Sequence, residues 1–521
     1  MAALAGARPG PSAAVVALVA TVLQLPALGG PSLWTDEAAT VSAATRSLPE
    51  LWRMAGTLDA VHTTYYVLMH LWTAVAGTGE WALRLPSAVA VGVAAAGTYA
   101  LARRTGGQAL GLLAAALLVV LPRTTWMAVE ARPYALATAV VVLSFVALAR
   151  ALEHGAVRRW VLYGVLVGLA VLLNVYSVLL VAAQGATVLV HPGLRPRWRA
   201  WLVSAAAAGL PLVPFALAVL GQSGQVGAND TGPLGLLRNV VVNQWFLGET
   251  PTVFTRTDAT ATPADPFDGV WQPAAVLLAL LALGLVVVAL VRVARDPAAR
   301  RRVAATAAWT LPWLVLPTLA LVAVAVVTRS YSPRYLSAST PALAIVLAAA
   351  VLLLARRSLR VGAVVLVVAL ALPVAASQRT ENAKSGADWR QTAAAAGRLC
   401  APGDGVYFAP RAAPTGTTVG LTTRGVSVAY PGPFQGLVDV TALRSPVAAA
   451  NLVGESRLLR DAGATLRDLG AVCVVRRFDA PSAASAADDA TLRLAGLVPT
   501  DAWAGPLDEV LRYERTGGTA G

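Results

Sequence analysis

Two carboxylates stand side by side in Trp34-Thr35-Asp36-Glu37-Ala38-Ala39-Thr40, a few residues past the apolar run 12–28. An acid at the rim of a bilayer can take a proton from a hydroxyl, join a metal site, or cap the helix that follows it. Asp36 is the candidate base; Glu37 points elsewhere and suits orienting an acceptor or the backbone, or holding a metal. Asp59 and His62 are three apart, so on a helix they would share a face, where His62 could steady a phosphate or bind a metal with a carboxylate. Glu130-Ala131-Arg132 precedes another apolar run, and Arg334 enters one between Tyr331 and Tyr335. A cation beside aromatic residues at a membrane surface suits a lipid phosphate, and equally suits an interfacial anchor. Arg329 and Arg123 are weaker candidates of the same kind. A divalent metal stays open, because spacing assembles no full ligand set and none links Cys400 to Cys473.

The elements that must position these residues are membrane helices. The chain has 521 residues, 57% hydrophobic and 13% charged, with a mean hydropathy of +0.65, more apolar surface than a soluble domain of this size could hide. The formal charge of +14 does not describe a nucleic-acid groove. Residues 1–376 carry 26 Arg and 13 acids, whereas 377–521 carry 15 basic residues and 14 acids, so the excess lies in the apolar part. Lys384 is the only lysine.

Apolar runs at about 12–29, 86–102, 108–122, 134–149, 160–173, 176–191, 201–220, 271–291, 304–328, 335–355 and 361–376 predict eleven spans. One set of alternate connections holds 16 Arg in short loops; the other holds 9 over far more residues. By the positive-inside rule the N-terminus is cytoplasmic, while Asp36 and the C-terminal part lie outside the plasma (inner) membrane. Residues 160–191 are too long for one crossing, so "NVYS" (174–177) predicts a hairpin whose apex lies beside a cavity, the alternative being one kinked helix. The first outer loop (31–85) predicts surface helices, with Tyr65, Tyr66, Trp72 and Trp81 at headgroup level. Pro86 is expected in the first turn of the second span, with Arg84 as its anchor. "LGLLRNVVVNQWF" (234–246), in a loop that also holds Asn229 and Asp230, predicts another surface helix.

The ordered pieces "WTDEAAT", "DAVHTTYYVLMHLW", "ALRLPSA", "VEARPYAL" and "SPRYLSASTPALA" together resemble the bacterial GT-C glycosyltransferases of the protein-mannosyltransferase-like class. The resemblance covers roughly residues 10–376. It implies a polytopic α-helical GT-C fold and transfer of a sugar from a polyprenyl-phosphate carrier at the outer face, with inversion. The first acid of the pair, Asp36, would be the base. Glu37, Asp59, His62, Tyr65, Glu130, Arg132, Tyr331 and Arg334 are the substrate-binding candidates. Mannose is the family's expected sugar, arabinofuranose is also open, and the acceptor is a glycan, glycolipid or protein. A chemical argument agrees: a phosphodiester-like leaving group is already acidic, so one carboxylate base with cationic help suffices. The rival readings are a flippase of lipid-linked sugars, for which internal repeats are expected and none is evident, and a non-catalytic assembly protein.

Residues 377–521 have balanced charge and more turn residues. Helical "ADWRQTAAAAGRL", "SRLLRDAGATLRDLG" and "AADDATLRLAGL" alternate with strands "GVYFAP", "AVCVVRR" and "LDEVLRYER", which predicts a small extracytoplasmic α/β domain. Outside the membrane Cys400 and Cys473 can pair. Acceptor positioning is the slightly favoured role.

Overall fold

The structure is a computed structural model; it describes residues 11–225, 232–248, 267–328, 331–409, 423–478, 480 and 482–516. Arg329, Asn229 and Asp230 lie outside the described residues. The fold is a polytopic helical bundle carrying a small mixed sheet at its C-terminal end.

Each of the eleven apolar runs is largely helical. Among the described residues, seven helices are long and apolar enough to cross a bilayer, and an eighth candidate is the pair Gln108–Val120 and Pro122–Ala128, bent by 62°. Three shorter helices, α1 (Pro11–Gln24), Val157–Leu173 and Val178–Val190, account for the remaining runs. The last two form the expected hairpin. Asn174 is extended between them and its side chain accepts from the Tyr176 N–H at 3.1 Å. Tyr163 donates to Gln184 at 2.7 Å, although these residues would lie about 30 Å apart on one continuous helix.

The first loop folds into α2 (Thr35–Ala44), α3 (Leu48–Thr57) and α4 (Thr63–Ala76). A capping box closes the start of α3, with Ser47 and Glu50 satisfying each other's backbone and side-chain groups. Tyr65 and Tyr66 are wholly buried and face the protein core, while α4 turns Leu68, Leu71 and Val75 outward. The next helix, α5 (Glu80–Gly106), starts earlier than expected and holds Pro86 inside it. Proline there cannot donate to the Ala82 carbonyl; the Trp72 indole does so at 2.8 Å. The same repair serves Pro317, whose missing N–H leaves the Trp313 carbonyl to Ser339 Oγ at 3.4 Å.

Arg84, read from sequence as an anchor, is fully buried and grips α2. Its guanidinium meets Glu37 at 2.8 and 2.6 Å and donates to the carbonyls of Leu28, Pro31 and Ser32. Residues 232–247 also depart from expectation. They form a short helix (Gly232–Arg238) running into a π-helix (Asn239–Leu247), and Gln244 to Leu247 are buried. Arg123 holds this turn in the bundle by donating to the Gln244 carbonyl at 3.0 Å and the Asn243 carbonyl at 2.5 Å.

The C-terminal sheet has the order β2-β1-β5-β7-β6. Here β1 is Gly405–Ala409, β2 Val438–Asp439, β5 Ala471–Arg477, β6 Leu497–Ala504 and β7 Asp508–Arg515; β3 (Ala442–Arg444) and β4 (Glu455–Ser456) form a separate pair. Strand β1 runs parallel to β2 and β5, while β5–β7 and β7–β6 are antiparallel. Helix Trp389–Leu399 packs on this sheet, and Cys400 at its end is disulfide-bonded to Cys473 of β5.

The first loop and the C-terminal part share one apolar core, in which Leu33, Val41, Tyr65 and Tyr66 meet Trp389, Val426 and Leu452. Ser32 N donates to Glu381 O at 2.8 Å, and Ser42 Oγ to Leu452 O at 2.9 Å. Both parts therefore lie on one side of the bundle, which requires an even number of crossings between them. Counting 157–190 as a hairpin satisfies that parity; one helix there would break it.

Two predictions follow from this packing. Arg84→Met leaves a buried carboxylate without its counter-charge and should cost about 3–5 kcal/mol, seen as a lower unfolding midpoint in detergent, with Glu37→Gln/Arg84→Met recovering most of the loss. An unchanged midpoint in the single variant would contradict the clamp. Replacing both cysteines by Ala removes a bridge between positions 73 apart in sequence and should destabilise the C-terminal part by about 4 kcal/mol; denaturant-dependent proteolysis reads this directly.

Candidate active site

The first turn of α2 splits the acidic pair. Glu37 is closed off: besides Arg84, it accepts the Ala131 N–H at 2.9 Å. Its side chain is 0% exposed, whereas that of Asp36 is 22% exposed. Asp36 Oδ2 meets Arg334 Nη1 at 2.7 Å. Successive helical side chains diverge by about 100°, so anchoring Glu37 inward turns Asp36 toward the bundle mouth. Burial pushes the Asp36 carboxyl up, but Arg334, Arg132 and His62 together outweigh it and hold it below its ordinary value. Burial likewise raises Glu37, and Arg84 with Lys384 brings it below the usual range.

Residues 130–132 are stitched to α2 in order. Glu130 accepts from the Trp34 indole at 2.8 Å and pairs with Lys384. The Ala131 carbonyl accepts from Thr40 Oγ1 at 2.9 Å, and its N–H serves Glu37. Arg132 Nη1 reaches the Asp36 carbonyl at 3.3 Å and Tyr66 Oη at 3.0 Å. Glu130 is fully buried; burial pushes its carboxyl up to about 7 against the pull of Lys384.

Asp59 and His62 do meet, but through a left-handed turn and not along a helix. Asp59 has φ 58° and precedes a short 3-10 turn ending at His62, whose Nε2 is 3.8 Å from Asp59 Oδ1. Tyr66 donates its hydroxyl to Asp59, linking this turn to Arg132. Burial and the Arg132 charge lower the His62 imidazole to about 4 against Asp59 and Asp36, so it is neutral at pH 7. The phenols of Tyr65 and Tyr66 are held well above their usual value, chiefly by burial.

Arg334 lies in the 3-10 segment Pro333–Ser339, which rests on the hairpin apex. Asn174 Nδ2 donates to the Tyr335 carbonyl at 3.1 Å, and Tyr176 stacks on Tyr335 with centroids 4.4 Å apart. Tyr331 is buried with its hydroxyl bonded to Gln244, so that group serves the fold.

The structure thus gathers Asp36, Asp59, His62, Arg132 and Arg334 through direct contacts and the Tyr66 bridge. It holds Glu37 and Glu130 in closed ion pairs behind them. The buried atoms His62 Nδ1, Tyr65 Oη and Arg132 Nε have no hydrogen-bond partner among the described residues; buried polar atoms without partners mark where a ligand or water belongs. Among the described residues no group of three or more His, Cys, Asp or Glu side chains gathers to hold a metal, and Glu37 is engaged with Arg84. A small apolar hollow lies beside Thr35, Ala38 and Ala39 of α2, facing Trp389 and Leu452. Sequence reasoning missed Tyr66 and Arg84 as site-building residues. Their signal was present in "HTTYYV" and "ALRLPS", where a polar group falls between apolar neighbours.

Residues 63–219 match the family model of dolichyl-phosphate-mannose-protein mannosyltransferase. No curated protein matches the chain by sequence. Among solved structures, ArnT from Cupriavidus metallidurans bound to undecaprenyl phosphate superposes with a TM-score of 0.55 at 13% identity, covering 96% of this chain and 97% of that one. Apo ArnT from the same organism gives 0.55 at 12% identity, with the same coverage. The oligosaccharyltransferase of Archaeoglobus fulgidus in its apo form gives 0.46 at 11%, covering 97% of this chain and 75% of its own. The chain is thus a helical membrane-type fold shared with ArnT over nearly its whole length, and its segment 63–219 is similar to the mannosyltransferase family.

Proposed function

We propose that this enzyme transfers a sugar, mannose first among candidates, from a polyprenyl-phosphate donor to an acceptor hydroxyl at the extracytoplasmic face. Residues 1–376 would form the catalytic membrane domain and 377–521 the outer domain. The observation that carries the reading is the open contact between Asp36 and Arg334 at 2.7 Å, with Arg132 on the Asp36 backbone. A carboxylate held ionised beside two cations suits a base next to a leaving phosphate.

In this reading Asp36 takes the proton of the acceptor hydroxyl as its oxygen attacks the anomeric carbon. The bond from that carbon to the phosphate oxygen breaks in line, which inverts the configuration, and the electron pair leaves with the polyprenyl phosphate. Arg334 and Arg132 bind the phosphate and neutralise its growing charge. His62, neutral, can donate to or accept from a sugar or phosphate oxygen, and Tyr65 can offer its hydroxyl. The family description favours mannose, and ArnT, which shares the fold, was captured with undecaprenyl phosphate. The Arg-rich short loops and the disulfide support an N-terminus inside and a C-terminal domain outside the cell's inner membrane.

Purified protein should release undecaprenyl phosphate from undecaprenyl-phosphate mannose, or from its arabinofuranose counterpart if mannose is wrong, and turnover of neither would defeat the proposal. Asp36→Asn should lower transfer by roughly 10²–10⁴-fold while undecaprenyl phosphate still binds, because the substitution releases Arg334 and leaves the cations in place. Normal turnover by that variant would remove Asp36 as the base. Arg334→Gln should weaken undecaprenyl phosphate binding roughly 10- to 100-fold, measured by equilibrium binding; unchanged binding would detach Arg334 from the phosphate.

A further inference from the structure

Lys384 is the only lysine of this chain, and it is 1% exposed. It lies in the turn after the last membrane helix, Arg357–Ser377, where Ser385 and Gly386 take φ of 55° and 79°. The turn is closed by Asn382 Nδ2 donating to the Ala387 carbonyl at 3.1 Å. Its ammonium pairs with Glu130 and lies 6.0 Å from the Trp126 ring centroid. A carboxylate and an indole face thus bound the ammonium together.

Glu130 is the first link of the stitch to α2. One oxygen holds Trp34, the residue that starts the helix, and the other holds Lys384. Ala131 and Arg132 then bind Glu37, Thr40 and Asp36 in turn. Among the described partners of Glu130, Lys384 is the one that follows the last membrane helix in the chain. Without its charge the buried Glu130 carboxyl has no counter-ion and takes up a proton; the turn then loses its tie to the C-terminal side.

We propose that Lys384 is a positioning residue of the transfer reaction: by pairing with Glu130 it fixes the turn 130–132 against α2, and so sets where Arg132 and the Asp36 carboxylate stand. The proposal rests on Asp36 being the base and Arg132 a phosphate-binding cation. It gives the C-terminal side of the chain a direct part in the geometry of the reaction.

The test compares Lys384→Met and Lys384→Met/Glu130→Gln with the unaltered protein, using undecaprenyl-phosphate mannose and arabinofuranose as donors. Lys384→Met should lower kcat roughly 10- to 100-fold, with undecaprenyl phosphate affinity changed less than about threefold. The double variant buries no unpaired charge, so its unfolding midpoint should return while its kcat stays low. Recovery of kcat together with stability would mean that the pair only balances buried charge, and would overturn the proposal. So would a folded Lys384→Met with normal kcat, or failure of both variants to fold. Asp36→Asn in the same assay separates the two readings. Activity there removes the base assignment, whereas loss there beside a fully active Lys384→Met removes only the role of Lys384.

Discussion

The buried ion pair between Glu37 and Arg84 is the contact on which the site depends. Two opposite charges with no exposed side-chain surface are tolerable only when their remaining hydrogen-bond groups are filled. The chain arranges this: Arg84 also serves the Leu28, Pro31 and Ser32 carbonyls, and Glu37 also accepts the Ala131 N–H. The pair thereby joins α1's exit, α2, α5 and the turn before Tyr134–His154 at one point. With Glu37 fixed inward, Asp36 has one direction left, toward the mouth of the bundle and Arg334.

The outer parts of the molecule reinforce that point from the other side. Glu80, at the first turn of α5, receives Arg390 at 2.9 and 2.6 Å and the Tyr430 hydroxyl. Tyr430 Oη accepts the Leu33 N–H at 2.7 Å. The loop between α1 and α2 is therefore held between α5 and the C-terminal part, with apolar packing around Trp389 behind it. A loosely tethered accessory domain would not share a core with the helix that carries the acid.

Much of this is legible in the sequence. Hydropathy marks the spans because a bilayer demands continuous apolar length and satisfied backbone groups, and the break at "NVYS" stood out because 160–191 exceeds one crossing. Position and resemblance also single out Asp36 over Glu37, and the structure leaves Asp36 the more exposed of the two. What stayed hidden was the partner of each buried charge. Arg84 looked like an interfacial anchor, and Lys384 was only a compositional oddity, since linear spacing cannot tell a cation facing lipid headgroups from one facing a carboxylate 47 or 254 positions away. Tyr65 and Tyr66 suited the headgroup layer by type, yet burial in the shared core claimed them. Strand β6 is not among the strands expected from sequence; its Pro499 is tolerated on a sheet edge, where the register shifts between Pro499 and Asp501.

The charges around α2 divide by exposure into closed pairs and an open one. Glu37–Arg84 and Glu130–Lys384 are closed, with side chains at most 1% exposed, whereas Asp36–Arg334 is open at 22% and 25%. A closed pair cannot change partners without leaving a buried charge alone, at a cost of several kcal/mol. An open pair can exchange, because water or a ligand screens each member as it leaves. In the proposed function, an anionic phosphate approaching this surface finds one arginine able to change partners, and that same exchange frees the carboxylate beside it. The closed pairs give α2 the rigidity that makes such an exchange a local event.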